Sequence, residues 1–276
     1  MSELALWSYT FREAKLVDLA AAAGAAGFRW ITATPDQIAR EGLTLPELRT
    51  AVERHGVGFS AIDGLVSVLP GTPHYRQPGQ PTLADCLGLA TMLGAGIVNL
   101  VHIGGRPTPV EALAETFIAA CRRAGEAGIG LAIEFLPGTG IPDIGTCAKV
   151  VRAAGEANGS ILLDTWHFAR GGGTLADLDP ATVSLVGALQ LADRSPEQDS
   201  QPYVPMRGRK LPGGGALPLA EIVARVHAAR PDLPVGVEVL SDEMDALGPK
   251  AGAMALAAAC RTLAIWETCA RADAGH

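Results

Sequence analysis

Four consecutive short apolar runs, from residue 130 onward, each close on a side chain with a metal-capable oxygen. Glu134 stands in Ala-Ile-Glu-Phe, Asp164 in Leu-Leu-Asp-Thr, Gln190 in Ala-Leu-Gln-Leu and Glu238 in Gly-Val-Glu-Val. A lone carboxylate buried in such a run costs several kcal/mol unless it is paired or bound to a cation. Three of them converging on one place repel one another, and a divalent ion is the simplest remedy. Three anionic oxygens and one amide oxygen suit a hard or borderline ion such as Mn²⁺, Mg²⁺ or Co²⁺. The plainer alternative is that these acids cap strands or pair with arginines, and their recurrence at four equivalent positions argues against it. His167 follows Asp164 by three residues, and His102 closes an earlier apolar run, Asn-Leu-Val-His. Both fall at strand ends, where a histidine is either a satisfied structural residue or a substrate contact.

These side chains need a scaffold that gathers the ends of several strands. Apolar runs at 4–8, 28–33, 58–63, 97–103, 130–135, 160–165, 186–191 and 233–240 read as strands. Segments with helical spacing follow at 15–26, 45–55, 82–93, 109–127, 144–157, 217–229 and 250–269, and only the sixth crossover, 174–182, is weak. Thr44 and Thr108, each followed by Pro and three residues on by Glu, predict capping boxes. Gly27, Gly56, Gly94, Gly128 and Gly159 predict helix ends. Strict alternation calls for parallel strands joined by right-handed crossovers. Eight such units in 276 residues fit an α/β fold of the closed (β/α)₈ type, with residues 1–276 as a single domain. An open doubly wound sheet fits less well, because no G-x-G-x-x-G follows the first strand. In a barrel the C-terminal strand ends build the active site, and the four oxygen ligands fall there. The irregular stretch 192–216 reads as an active-site loop.

Composition excludes other classes. A formal charge of −7 opposes a nucleic-acid backbone. No apolar run reaches the roughly 18–20 residues that span a bilayer, and no basic segment precedes an apolar one at the N-terminus. The five cysteines form no close pair and read as reduced thiols of a cytoplasmic protein. No lysine falls at a strand end to form a Schiff base, and no G-x-S-x-G is present. The glycine runs 171–173 and 213–215 either offer backbone amides to a phosphate or are flexible turns. Trp7, Trp30 and Trp166 either wall one face of a sugar or pack in the core. Helix faces rich in Ala and Leu are compatible with a homo-oligomer.

Three segments carry a family resemblance. Asp164-Thr165-Trp166-His167-Phe168-Ala169-Arg170-Gly171-Gly172 is similar to D-x-x-H-F-x-R-S-G. Gln190-Leu191-Ala192-Asp193 with Arg209-Lys210-Leu211-Pro212-Gly213-Gly214-Gly215 is similar to Q-x-x-D and R-x-x-P-G-E-G. Val237-Glu238-Val239-Leu240-Ser241-Asp242-Glu243 is similar to V-E-V-x-S-x-E. With Glu134 added, the chain resembles the xylose-isomerase-like TIM-barrel superfamily, the sugar phosphate isomerase/epimerase group. The resemblance implies that Glu134, Asp164, Gln190 and Glu238 bind one divalent ion, most often Mn²⁺, with Mg²⁺, Co²⁺, Zn²⁺ or Fe²⁺ as alternatives. It implies that His102, His167 and Arg209 meet the substrate. Many members have His where this chain has Gln190, and the loop acids of the family are Gly214 and Ala216 here.

The chemistry expected is metal-dependent isomerisation or epimerisation of a small polyhydroxylated carbonyl compound. Glu134 and Glu238 exchange the α-proton through an enediolate that the metal stabilises. Loss of a β-hydroxyl from the same intermediate gives a dehydratase of the inosose or dehydroshikimate type. A non-catalytic sugar binder is the alternative outside enzymology.

Overall fold

Parallel strands buried on both faces show as continuous apolar runs, and each predicted run is a strand. The computed structural model describes residues 3–197, 202–204 and 208–263. The strands are β1 (Leu4–Leu6), β2 (Trp30–Ala33), β3 (Gly58–Leu65), β4 (Ile97–Val101), β5 (Gly130–Glu134), β6 (Gly159–Asp164), β7 (Val186–Leu191) and β8 (Val235–Val237). Each pairs in parallel with the next, and β8 pairs with β1, which closes the barrel. The fold is a (β/α)₈ TIM barrel.

The helices are α1 (Leu16–Ala26), α2 (Pro35–Glu41), α3 (Leu45–Glu53), α4 (Leu83–Leu93), α5 (Val110–Glu126), α6 (Ile144–Ala154), α7 (Thr165–Arg170), α8 (Pro180–Val183), α9 (Leu219–Ala229) and α10 (Asp242–Thr262). Their apolar faces and the outer faces of the strands form the main core. The barrel interior holds a separate cluster of Trp7, Ala61, Ala132, Leu162 and Ala188. Trp7 therefore packs in the core. Trp30 opens β2 at the end opposite the acids, where its indole N–H donates to Glu3, so Trp30 walls no substrate.

Several boundaries differ from the sequence reading, each for a local reason. Thr44 and Glu47 make the expected capping box. Thr108 makes none, because its hydroxyl donates to the carbonyls of Pro70 and Arg106. Helix α2 was not expected, being too short to show a period, yet Thr34 and Gln37 cap it reciprocally. Gly155, at φ 62°, ends α6 in place of Gly159, which lies in β6 with the Phe117 ring 2.8 Å from where a Cβ would stand. Helix α10 starts at a Ser241 cap and bends at Gly248, φ 70°, ahead of Pro249. Positions 264–269 of its expected span lie outside the described residues, with Cys269 among them. The weak sixth crossover is α7, a 3₁₀ turn at Leu175–Asp177, and α8. Cys86, Cys121, Cys147 and Cys260 are free and buried. Burial pushes Cys86, Cys121 and Cys260 up to about 12, which makes them poor nucleophiles. Among the described residues no helix is long and apolar enough to cross a membrane.

Candidate active site

The strand ends deliver the acids to one place. Glu134 is the last residue of β5 and Asp164 the last of β6, and Gln190 of β7 lies in register with Asp164. Glu238 follows β8 directly, its N–H donating to the Leu191 carbonyl at 3.0 Å. All four are buried. Asp164 also caps α7, its Oδ1 accepting the N–H groups of Trp166 (2.7 Å) and His167 (2.9 Å). That is the physical content of the D-x-x-H spacing. A carboxylate at the strand end starts the helix, and the helix turns His167 back toward the acids. His167 Nε2 then lies 3.5 Å from Glu134 Oε1 and 3.9 Å from Asp164 Oδ2.

Arg209 enters from the loop after β7. Its Nη1 donates to Asp164 Oδ2 at 2.6 Å and to Glu238 Oε2 at 2.8 Å, and Nη2 donates to His167 Nε2 at 3.2 Å. A guanidinium only donates, so Nε2 accepts and the imidazole proton sits on Nδ1, 2.7 Å from the Tyr203 hydroxyl. Trp166 lies under the Arg209 guanidinium at 5.4 Å and against Tyr203, ring centroids 5.3 Å apart. Trp166 therefore lies at the site.

The loop bearing Arg209 is anchored by Asp193. Its buried carboxylate accepts the N–H groups of Arg194, Gly213, Gly215 and Leu217 at 2.8–3.1 Å. The Gly214 N–H donates to Leu211, and the N–H groups of Gly171, Gly172 and Gly173 close turns onto His167, Ala169 and Phe168. Neither glycine run presents a free amide to a phosphate.

The donor set fits a divalent cation. Glu134, Asp164 and His167 each offer a ligand atom within 4.8 Å of the others. The Gln190 amide faces Asp164 Oδ2 and Glu134 Oε1 at 3.2 Å each. With its oxygen inward, it meets Glu134 Oε1 with no donor between them and Asp164 Oδ2 with only Arg209 to serve it, a crowding of acceptors that a cation among them resolves. With its nitrogen inward, the amide donates to both. Among the described residues four buried carboxylates, Asp63 included, surround one buried guanidinium, an excess of negative charge that a divalent ion offsets. Glu238 stands apart from the three-residue group, engaged by Arg209.

Burial raises the proton affinity of most of these acids. It pushes Glu238 up to about 8 despite Arg209, and Glu134 well above the usual carboxylate range, helped by the neighbouring acids. It would raise Asp164 too, but Arg209, His167 and two backbone N–H groups hold that carboxyl below its ordinary value. Burial lowers His167 to about 4, so the ring is neutral at pH 7.

His102 is not brought to this centre. Its Nδ1 accepts the Gly140 N–H at 3.3 Å and its Nε2 donates to the Pro70 carbonyl at 3.1 Å, so the ring ties together three of the loops around the mouth. The sequence reading passed over Asp63, Asn99, Asp193 and Tyr203 as site residues. Asp63 and Asn99 obey the rule that found the other acids, each being a polar residue in an apolar run. Tyr203, in a polar loop, carried no such signal.

Comparison with known proteins relates the chain to others by sequence and by fold. The chain is 29% identical to a Streptomyces coelicolor protein named as a hydroxypyruvate isomerase, over 84% of this chain and 88% of that one. It superposes on the solved IOLI protein with a bound zinc atom at TM-score 0.79 and 16% identity, covering 95% of this chain and 98% of the other. It superposes on the D-psicose 3-epimerase of Clostridium cellulolyticum H10 at TM-score 0.71 and 14% identity, covering 95% and 99%. Residues 17–263 match the family described as xylose isomerase-like TIM barrel. With that match running from α1 to the end of α10, the chain belongs to the xylose isomerase-like TIM barrel family.

Proposed function

We propose that the protein is a divalent-metal-dependent isomerase or epimerase of a small polyhydroxylated carbonyl compound. The observation that carries this reading is a pair of buried glutamates at the ends of β5 and β8, with Asp164, Gln190 and Arg209 gathered between them. Glu134, Asp164 and Gln190, with His167 alongside, hold the ion. The ion supplies Lewis-acid polarisation of a carbonyl and stabilises charge on its oxygen.

The chain's own residues do the rest. Glu134 and Glu238 approach the reacting carbon from two sides, and one removes the α-proton that the other returns. Arg209 fixes the Glu238 carboxyl and, being committed to two acids, does not serve as a phosphate clamp. Neutral His167, held between Arg209 and Tyr203, lines the site beside Glu134, and burial of the whole set excludes water. The similarity to a full-length relative named for hydroxypyruvate isomerisation supports isomerase chemistry on a short hydroxy-carbonyl substrate.

The test is α-proton exchange in D₂O with Mn²⁺-loaded protein, over hydroxypyruvate, ketoses, inososes and dehydroshikimate, with product analysis. Deuterium incorporation with an isomeric product is expected. Glu134→Gln and Glu238→Gln should each lose roughly 10²–10⁴-fold. A dehydrated product would move the protein to the lyases. Absence of both exchange and turnover across the panel would sink the reading.

A further inference from the structure

Asn99 stands in the middle of β4, in Ile-Val-Asn-Leu-Val, and is fully buried. Its Nδ2 donates to Asp63 Oδ1 at 2.7 Å and to Glu134 Oε2 at 3.2 Å, so one NH₂ group bridges two carboxylates. Its Oδ1 has no partner among the described residues. A buried amide with an unmatched oxygen is a poor way to fill a strand, so the side chain is there for its nitrogen. The two oxygens of Glu134 thereby face different ways. Oε1 looks to Gln190 and His167, and Oε2 is held by Asn99. The shorter bond anchors Asn99 to Asp63, which in turn accepts the N–H of Gly64. The result is a buried chain from the backbone of β3 to the acid at the end of β5.

We propose that Asn99 and Asp63 are a positioning pair that fixes the orientation of the Glu134 carboxylate for proton transfer. The proposal rests on the reading of Glu134 as a proton carrier. Neither residue touches the reacting atoms. The pair acts by holding the plane of a carboxylate that a shift of a few tenths of an ångström would misdirect.

The chain has two asparagines, Asn99 and Asn158, so selective ¹⁵N-asparagine labelling gives two side-chain amide signals with Asn158 as internal control. The Asn99 pair, assigned by its loss in Asn99→Leu, should shift in both Asp63→Ala and Glu134→Gln while the Asn158 pair stays in place. Kinetically, Asn99→Leu should lower kcat roughly 10–100-fold with KM and Mn²⁺ affinity within about threefold of wild type. Asp63→Ala should fall by a similar factor, and the double variant Asp63→Val/Asn99→Leu no further than the worse single one. That double variant removes both members for apolar groups, so it should regain thermal stability that Asn99→Leu loses without regaining kcat. Recovery of kcat along with stability would reduce the pair to a structural role and overturn the proposal. So would an Asn99 amide indifferent to Glu134→Gln, or additive losses. If the wild type exchanges no substrate proton, the isomerase reading falls, and the proposed pairing falls with it only where the amide signals fail to respond.

Discussion

The mouth of the barrel has two halves that bury polar side chains in opposite ways. Around β1 and β2, Ser8 N–H donates to Thr32 Oγ1 at 2.9 Å, Ser8 Oγ to Gln37 Oε1 at 2.7 Å, and Gln37 Nε2 to the Ser8 carbonyl at 3.3 Å. His102, at the end of β4, is closed in the same manner by backbone on both sides. Each of these four side chains is neutral and has a nearby partner. From β5 to β8, Asp164 and Glu238 share a single guanidinium with Glu134 nearby, and burial has raised the proton affinities of Glu134 and Glu238. Buried polarity by itself therefore does not mark the site. Unbalanced buried charge does.

The comparison breaks first at Arg209. Removing one partner of a buried ionic cluster leaves uncompensated charge, so Arg209→Met in metal-free protein should cost roughly 3–5 kcal/mol by urea unfolding. A cost below about 1 kcal/mol would mean that the acids manage without it and that the halves are not different in kind.

The pH dependence sharpens the same point. Glu238 holds its proton up to about 8 in the folded chain, against an ordinary glutamate value of 4.5. Between those values the folded state keeps a proton the unfolded state has released, so this group's contribution to stability falls as pH rises from about 4.5 to 8. His167 works the other way. Its depressed affinity, about 4 against 6.5, removes stability as pH drops through that window. Glu238→Gln eliminates the alkaline loss alone. Relative to wild type, the metal-free variant should gain stability as pH increases from 5 to 8, measured as the urea midpoint at several pH values. A difference that stays flat with pH would show that Glu238 is not held protonated.

These contrasts explain what the chain discloses before it folds. The strands were legible because both of their faces are buried, and Glu134, Asp164, Gln190 and Glu238 stood out as interruptions of apolar runs. His167 was legible through its spacing from a helix-capping Asp164. Arg209 was found as a motif residue, but its place between Asp164 and Glu238 depends on Asp193 folding a 25-residue loop (192–216) by long-range bonds that no local pattern announces. His102 shows the reverse limit. Its position at a strand end was read correctly, yet its ring nitrogens meet Gly140 and Pro70, residues distant in sequence, and those contacts decide what it does. Gly140 belongs to that fit, because a Cβ there would stand 2.7 Å from the imidazole Nε2.

The neutral half should respond to mutation on a smaller scale. His102→Ala deprives the Gly140 N–H of its partner, leaves the Pro70 carbonyl only the Thr108 hydroxyl and opens a space beside Gly140, which predicts about 1–3 kcal/mol of lost stability. Mn²⁺ binding should survive, since His102 touches none of the proposed ligands. Loss of metal together with stability would place His102 in the functional half after all. Ser8→Ala should have the least effect. It removes the bond to Gln37 Oε1, but that oxygen also accepts the Thr34 N–H at 3.2 Å and so keeps a partner. The expected change is about 0.5–1.5 kcal/mol with substrate exchange unaltered, because the network it belongs to serves the fold. A Ser8→Ala variant of normal stability with lost exchange would show that the neutral half also reaches the substrate.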